Sequence, residues 1–192
     1  ASATVTGLTN GTAYTFRVSA TNVAGTGAVS TTSASVTPRT VPGAPTSVAG
    51  TAGISEVALT WTAPASNGGS AITDYVVEFN DGATWATFAD GVSTAASATV
   101  TGLTNGTAYT FRVSATNAAG TGATSVVSAS VTPRTTPGPP TGVSGTSGNT
   151  QVSLTWTAPA SNGGSAITDY VIQSSPDGTT YTTFADGTST TT

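Results

Sequence analysis

Of the eight acidic residues in this chain, the candidates for acid–base or metal chemistry are the carboxylates of Asp74, Glu78, Asp81 and Asp90. Catalysis usually also draws on His, Lys or Cys, and the chain contains none of these residue types. Zinc and similar metals would need His or Cys ligands, and calcium would need several converging oxygen ligands. We therefore expect no catalytic site, no cofactor and no metal. The acids are explained as turn residues and as part of a solvated strand face.

Two further patterns could engage sugars. Asn10-Gly11-Thr12 and Asn105-Gly106-Thr107 match the acceptor pattern for N-linked glycans, although Asn-Gly is also what a tight turn requires. Trp85, with Tyr181 at the matching place later in the chain, falls on a predicted edge strand. Such a ring can stack on a sugar or simply cover the sheet edge. Glycosylation at Asn10 and Asn105, and sugar stacking at Trp85 and Tyr181, therefore stay open.

Charge and hydropathy exclude two other classes of partner. The chain has 192 residues, with four Arg against eight acidic residues and a net charge of −4, so it lacks the positive charge that attracts nucleic acid. It has no run of 18 apolar residues, so we expect no membrane insertion. Arg112 is expected to pair with Glu78 on a neighbouring strand, as a surface ion pair.

Two segments of the chain occur twice. Ala1 to Asn22 recurs unchanged as Ala96 to Asn117, and Leu59 to Val76 recurs unchanged as Leu154 to Val171. Both repeats are offset by 95 positions, which is too long for a solenoid unit and matches one small β-sandwich domain. The chain therefore reads as a tandem array, with a back half at residues 1–39, a complete module at 41–135 and a front half at 136–192.

Apolar residues alternate with polar ones along the complete module, as they do in half-buried strands. The clearest runs are Val57 to Trp61, Tyr75 to Phe79 and Tyr109 to Ala115. Shorter runs occur around Ser47, Trp85 and Val100, and Val127 to Val131 is expected to form the last strand. Seven short strands separated by turn signals predict an all-β fold, an antiparallel immunoglobulin-like sandwich.

Together these segments resemble a bacterial fibronectin type III module. The resemblance rests on the following motifs: Leu59-Thr60-Trp61, Ser66-Asn67-Gly68-Gly69, Tyr75-Val76-Val77, Gly102 to Val113 and Asn117-Ala118-Ala119-Gly120. It implies one sheet of three strands and one of four, with Trp61 in the core and Tyr109 holding the turn before its strand. The expected core residues, including the repeat of Trp61, are Trp61, Tyr75, Leu103, Tyr109 and Trp156.

Proline-rich segments, Pro38 to Pro45 and Pro133 to Pro140, join the modules. Proline fixes φ and favours extended backbone, so these linkers are predicted to be semi-rigid. Neither half-module can bury its apolar face alone. We expect residues 137–192 to pack against residues 1–36 of a neighbouring copy, or of the same chain continued, with Thr192 next to Ala1.

These features favour a non-enzymatic structural module of an extracellular or cell-surface filament, stalk or polymer. Two alternatives remain. The first is an adhesin that binds carbohydrate or a host surface. The second, implied by the resemblance, is a spacer in a modular secreted polysaccharide-degrading enzyme.

Overall fold

The computed structural model describes residues 1–185 and 187. All regular secondary structure assigned within these residues is β-strand. The strands, in chain order, are β1 Thr21–Asn22, β2 Gly25–Thr26, β3 Thr46–Ala52, β4 Glu56–Thr62, β5 Ile72–Asn80, β6 Ala86–Phe88, β7 Ser97–Thr101, β8 Thr110–Asn117, β9 Gly120–Thr124, β10 Thr141–Gly148, β11 Gln151–Thr157, β12 Ile172–Ser174 and β13 Thr182–Phe184.

Contacts divide the chain into two compact units. The first comprises Ala1–Gly50, Ala58–Val100 and Tyr109–Ser130. The second comprises Thr51–Val57, Thr101–Ala108 and Val131–Thr192.

Residues 46–124 supply two sheets. One has the strand order β3-β4-β7, and the other has the order β6-β5-β8-β9, in which every neighbouring pair is antiparallel. The central pair, β5 and β8, is in register from Asp74 opposite Thr116 to Asn80 opposite Thr110. This arrangement confirms the predicted all-β antiparallel fold class.

The alternation of side chains along each strand determines which ones are buried. In the first unit, the buried apolar residues of these sheets are Leu59, Trp61, Tyr75, Val77, Val100, Tyr109, Phe111, Val113 and Ala115. In the second unit, Val57 and Leu103 are buried. Intervening residues such as Thr60 and Thr62 are exposed, as a pleat with one face in the core requires.

The last strand of this domain lies earlier than its sequence pattern indicates. We expected it at Val127 to Val131, but the regular strand is β9, at Gly120–Thr124. Beyond β9, the hydroxyls of Ser125 and Ser128 accept hydrogen bonds from the amides of Val113 and Phe111, at 3.0 Å each. These side chains replace main-chain carbonyls in the ladder, so the pairing with β8 continues in irregular form.

Residues 1–39, in the first unit, pair their two chain segments with each other. Tyr14 bridges Val36, and the Ser33 and Ser30 amides donate to the Phe16 and Val18 carbonyls at 2.9 Å each. The Tyr14 hydroxyl accepts a hydrogen bond from the Thr9 amide at 3.0 Å, which lowers the pKa of Tyr14. Much of the apolar surface of this segment stays exposed, including Val18 at 73%.

Residues 136–185, in the second unit, form two separate antiparallel pairs, β10 with β11 and β12 with β13. The apolar side chains exposed here are Val143, Val152, Leu154, Val171, Tyr181 and Phe184. The equivalents of Val152 and Leu154 are Val57 and Leu59, which are at most 1% exposed. The strands that cover this face in the complete domain have no counterpart in the described part of this segment.

Candidate functional site: the module junctions

A four-residue loop with two left-handed glycines begins the first junction. After β4, the Gly68 amide donates to the Ser66 hydroxyl at 3.2 Å and the Gly69 amide donates to the Asn67 side chain at 2.9 Å. Gly68 and Gly69 have φ of 72° and 82°, values that other residues rarely adopt. Two local hydrogen bonds and two glycines thus hold the loop in one conformation.

This loop lies against the linker and against a turn of the preceding half-module. The Thr40 amide donates to the Gly68 carbonyl, the Gly43 amide to the Ser66 carbonyl, and the Gly11 amide to the Pro38 carbonyl, at 2.9 Å each. A Cβ on Gly69 would overlap the Gly11 nitrogen and lie 2.6 Å from the Asn10 carbonyl carbon. The absence of side chains is therefore what allows these backbones to meet.

The second junction repeats the first, 95 residues later. The Thr135 amide donates to the Gly163 carbonyl at 2.8 Å, and the Gly138 and Gly106 amides donate to the Ser161 and Pro133 carbonyls at 2.9 Å. A Cβ on Gly164 would lie 2.7 Å from the Gly106 Cα. The same main-chain contacts therefore form at both places where the linker, the Asn-Gly turn and the Gly-Gly loop occur together.

A buried amide closes the first junction from the side of β8. The side-chain nitrogen of Asn117, a residue only 4% exposed, donates to the carbonyls of Thr40 at 2.8 Å and Asn67 at 2.7 Å. Its side-chain oxygen accepts from the Ala119 amide at 2.7 Å. Both amide protons and the oxygen are used, as a buried amide requires. Asn117 thus ties the linker to the loop and to the end of β8.

The two predicted glycan acceptors lie in the turns at these junctions. Thr12 and Thr107 each close a turn by donating to the carbonyl three residues earlier, at 3.2 Å. The side chain of Asn105 accepts from the Ser55 amide at 2.8 Å and donates to the Ser55 hydroxyl at 3.3 Å. Asn10 is exposed. Of the two acceptors, only Asn105 has its amide nitrogen engaged by the protein among the described residues.

The two predicted sugar-stacking rings have different surroundings. Trp85 is half-buried, and the Arg112 guanidinium lies 4.3 Å from the centre of its ring. Arg112 also forms two bonds to Glu78, at 2.8 and 3.0 Å, and this pairing raises the pKa of Arg112. The expected Arg112–Glu78 pair is therefore formed, and it covers one face of the Trp85 ring. Tyr181 is 58% exposed.

The predicted core residues lie as follows. Trp61, Tyr75, Leu103 and Tyr109 are all at most 7% exposed, and the rings of Trp61 and Tyr75 meet edge to face at 5.3 Å. Trp156 is half-buried and meets Tyr170 in the same way at 5.2 Å. Among the described residues, no hydrogen-bond partner reaches the indole nitrogen of either tryptophan.

Three of the acidic residues accept hydrogen bonds from main-chain amides in loops. Asp74 accepts from the Ser93 amide at 3.0 Å, and Asp81 accepts from the Ala83 amide at 3.2 Å. Asp177 accepts from the amides of Thr180 and Thr179 and from the Ser175 hydroxyl, which holds its pKa well below the ordinary value. Over the described ranges, no three acidic, His or Cys residues come together as metal ligands. The same ranges contain no helix able to span a membrane.

The sequence did not assign a role to the glycine pairs at the junctions. Gly68-Gly69 belongs to one of the motifs on which the family resemblance rests, and Gly163-Gly164 is its copy in the repeated segment Leu154 to Val171. A signal was present, since glycine pairs recurring at one place of a long repeat suggest close backbone approach. Sequence alone could not name the partner, because Gly69 and Gly11 are distant along the chain.

Comparisons with known proteins agree with this architecture. The family model described as fibronectin type III domain matches residues 43–131. Exoglucanase B of Cellulomonas fimi is 41% identical over 140 residues, covering 69% of this chain and 12% of that protein. Chitinase A1 of Niallia circulans is 39% identical over 126 residues, covering 62% of this chain and 17% of that protein.

A solved structure of titin domains A168–A170 is 33% identical, with a TM-score of 0.48, and the match covers 54% of this chain and 36% of that one. Of the two bacterial relatives, the exoglucanase and the chitinase, the chain spans less than a fifth of the full length. With its two antiparallel sheets and its match to the family model, the segment from 43 to 131 is a fibronectin type III domain.

Proposed function

We propose that this chain is a structural spacer, part of an extracellular or cell-surface filament, stalk or polymer of tandem fibronectin type III modules. Residues 1–39, 41–135 and 136–192 are the back half, the complete module and the front half of this array. The observation that carries the proposal is the repetition of one junction, with three equivalent main-chain hydrogen bonds at both places.

Such a junction suits a spacer because it limits the freedom of the linker. Each hydrogen bond contributes about 0.5–1.5 kcal/mol. The linkers are rich in proline, so little conformational entropy is lost when they are fixed. A recognition module would need one distinctive surface, whereas here the repeated residues build the joints.

In this proposal, the two half-modules are completed by each other, either from a neighbouring copy head-to-tail or from continuation of one long chain. Arg17 is the repeat of Arg112, and Gln173 and Tyr181 stand where Glu78 and Trp85 stand. A completed module would therefore place the Arg17 guanidinium over the Tyr181 ring. The side-chain oxygen of Gln173 would accept a hydrogen bond from that guanidinium. Head-to-tail contacts that do not close produce open filaments. Thr192, which we expect next to Ala1, lies outside the described residues.

A second candidate is a spacer within a modular polysaccharide-degrading enzyme. The names of the relatives, an exoglucanase and a chitinase, favour it. The module would be non-catalytic in both cases, and its mechanical role would be the same. Adhesin activity has weaker support, because Arg112 already occupies one face of Trp85, although the exposed Tyr181 and glycan contacts keep it testable.

The spacer role can be tested by a distance measurement across the first junction. The chain has no Cys, so Thr31→Cys and Thr87→Cys, both exposed and both in the first unit, allow clean spin labelling. A spacer with a fixed junction gives a narrow distance distribution that broadens in Gly69→Ala. A broad distribution in the parent chain would contradict the proposal.

Completion of the half-modules needs a separate test. Fusing a second copy after Thr192 should bury the apolar face around Trp156, shift its fluorescence to the blue and protect the β11 amides. The unfused chain should show the same changes with rising concentration if copies pair. If neither form changes, the completion hypothesis is wrong, while the spacer role of the junction would stand.

A further inference from the structure

Glycine follows Asn or Asp at four places in the complete module, and the structure holds only three of these steps in hydrogen bonds. The steps are Asn67-Gly68, Asp81-Gly82, Asp90-Gly91 and Asn105-Gly106. At the first, second and fourth, the glycine amide donates a hydrogen bond, at 3.2, 2.6 and 2.9 Å respectively. At the third, within the described part of the chain, the Gly91 amide has no hydrogen-bond partner. The step from Asp90 to Gly91 is therefore the exception in this module.

The side chain before this amide is equally unrestrained. Asp90 is exposed, and no hydrogen bond or ion pair holds its carboxylate within residues 1–185 and 187. Gly91 has φ of 79°, and nothing lies within 4 Å of its Cβ position. The Asp90 carboxyl group and the Gly91 nitrogen can therefore approach each other without displacing any neighbour.

We propose that Asp90 is a site of spontaneous covalent modification, isomerisation to β-linked aspartate through a succinimide, and that hydrogen bonds protect Asp81 from the same reaction. The main-chain nitrogen of Gly91 attacks Cγ of the protonated Asp90 side chain and forms a new C–N bond. The bond from Cγ to its hydroxyl oxygen breaks, and water leaves with the proton from the Gly91 amide. Another water then opens the ring at either C–N bond, which returns aspartate or gives the β-linked isomer.

Hydrogen bonds oppose this reaction because the carboxyl group must swing over the main chain, towards the following nitrogen. Glycine permits the approach, since it has no Cβ to obstruct it. At Asp81, two hydrogen bonds must first break. The Gly82 amide donates to the Asn80 side chain at 2.6 Å, and the Asp81 carboxylate accepts from the Ala83 amide at 3.2 Å. Neither bond has a counterpart at Asp90, and this difference separates the two sites.

Asp177 provides a third site, which is held most firmly. The Gly178 amide donates to the Ser175 hydroxyl at 2.9 Å. The Asp177 carboxylate accepts from that hydroxyl and from the amides of Thr179 and Thr180, at 2.8 to 2.9 Å. All four bonds are formed within one short loop. The expected order of reaction is therefore Asp90 first, then Asp81, and Asp177 last.

Peptide mapping of the intact folded chain tests this order, after the chain has aged in mildly acidic buffer where part of the carboxyl groups is protonated. Trypsin releases Asp81 and Asp90 together in residues 40–112, and Asp177 in residues 135–192. Isomerisation leaves the mass unchanged, so electron-transfer fragmentation is used to distinguish β-linked from ordinary aspartate. Two hydrogen bonds of ordinary strength predict that Asp90 reacts about tenfold faster than Asp81, or more.

Two controls make each outcome decisive. Asn80→Ala removes the acceptor of the Gly82 amide, so it should raise the rate at Asp81 and leave the rate at Asp90 unchanged. In denaturant, the rates at Asp81 and Asp90 should become similar, because glycine follows both residues.

Four results would each overturn the proposal: no reaction at Asp90, an equal or faster rate at Asp81 in the folded chain, an unchanged Asp81 rate in Asn80→Ala, or a difference that persists in denaturant. None of these results bears on the spacer function, because Asp90 is not among the residues that form the two junctions.

Discussion

Gly69→Ala is the change that most directly probes the junction. Two costs would lower the free energy of unfolding. The first is the backbone strain of an alanine in the left-handed region, about 1–2 kcal/mol whatever surrounds it. Its Cβ would also lie 2.6 Å from the Asn10 carbonyl carbon, well inside the 3.5–4.0 Å at which carbon atoms attract. The Gly11 nitrogen, which the Cβ would overlap, and the Asn10 carbonyl carbon are both main-chain atoms, so the turn must move away.

The second cost can be worked out from the bonds that the movement breaks. Displacing the Asn10-Gly11 turn would break the hydrogen bond from the Gly11 amide to the Pro38 carbonyl. It would also break the one from the Thr40 amide to the Gly68 carbonyl. At about 0.5–1.5 kcal/mol each, their loss adds roughly 1–3 kcal/mol to the backbone strain. Gly91→Ala is the matched control, because Gly91 has φ of 79° with nothing within 4 Å of its Cβ position.

Amide hydrogen exchange measured by NMR separates the two costs. In the parent chain and in Gly91→Ala, the Thr40 and Gly11 amides should be protected. In Gly69→Ala, they should lose about 5- to 150-fold in protection, which corresponds to the roughly 1–3 kcal/mol of lost bonding. Equal protection in the two variants would show that the close approach does not stabilise the junction.

Three other predictions test separate parts of the structure. Trp61→Ala should destabilise the domain by about 3–5 kcal/mol in urea unfolding, and Trp156→Ala, at a half-buried site, by clearly less. Because the folded pKa of Asp177 lies below its unfolded value of about 3.9, its hydrogen bonds stabilise the loop above that pH. These hydrogen bonds are lost as the pH falls through the lowered pKa of Asp177. The amide signals of Thr179 and Thr180 should therefore shift at a lower pH than an ordinary Asp titration would give, and a shift at the ordinary pH would contradict this. Arg112→Gln should expose the Trp85 ring and raise its quenching by acrylamide, with little change in stability; unchanged quenching would mean that the guanidinium does not cover it.

The fold class followed from the sequence because the alternation is strong and local. Val57, Leu59 and Trp61 sit two residues apart in β4, and the structure buries all three. The last strand was misplaced for a physical reason. Val127 continues the apolar pattern, but the hydroxyls of Ser125 and Ser128 bond to β8 in place of main-chain groups. Competition of this kind is not visible in hydropathy.

The junction could be predicted only in part. Proline in the linkers predicts stiffness, but the sequence did not reveal the close approach between Gly69 and the Asn10-Gly11 turn, which are distant along the chain. The anchoring of Asn105 by Ser55 was equally hidden, since it spans 50 residues. Repetition showed that these segments recur together, and three-dimensional structure was needed to show that they touch.

Residual dipolar couplings test the fixed junction most directly. Amides of residues 8–36 and those of β5 and β8 all belong to the first compact unit, on either side of the junction. A fixed junction predicts that one alignment tensor fits both sets, and that Gly69→Ala separates them while Gly91→Ala does not. A markedly smaller tensor for residues 8–36 in the parent chain would show that the half-module moves independently, and the junction would then not fix the geometry of the spacer.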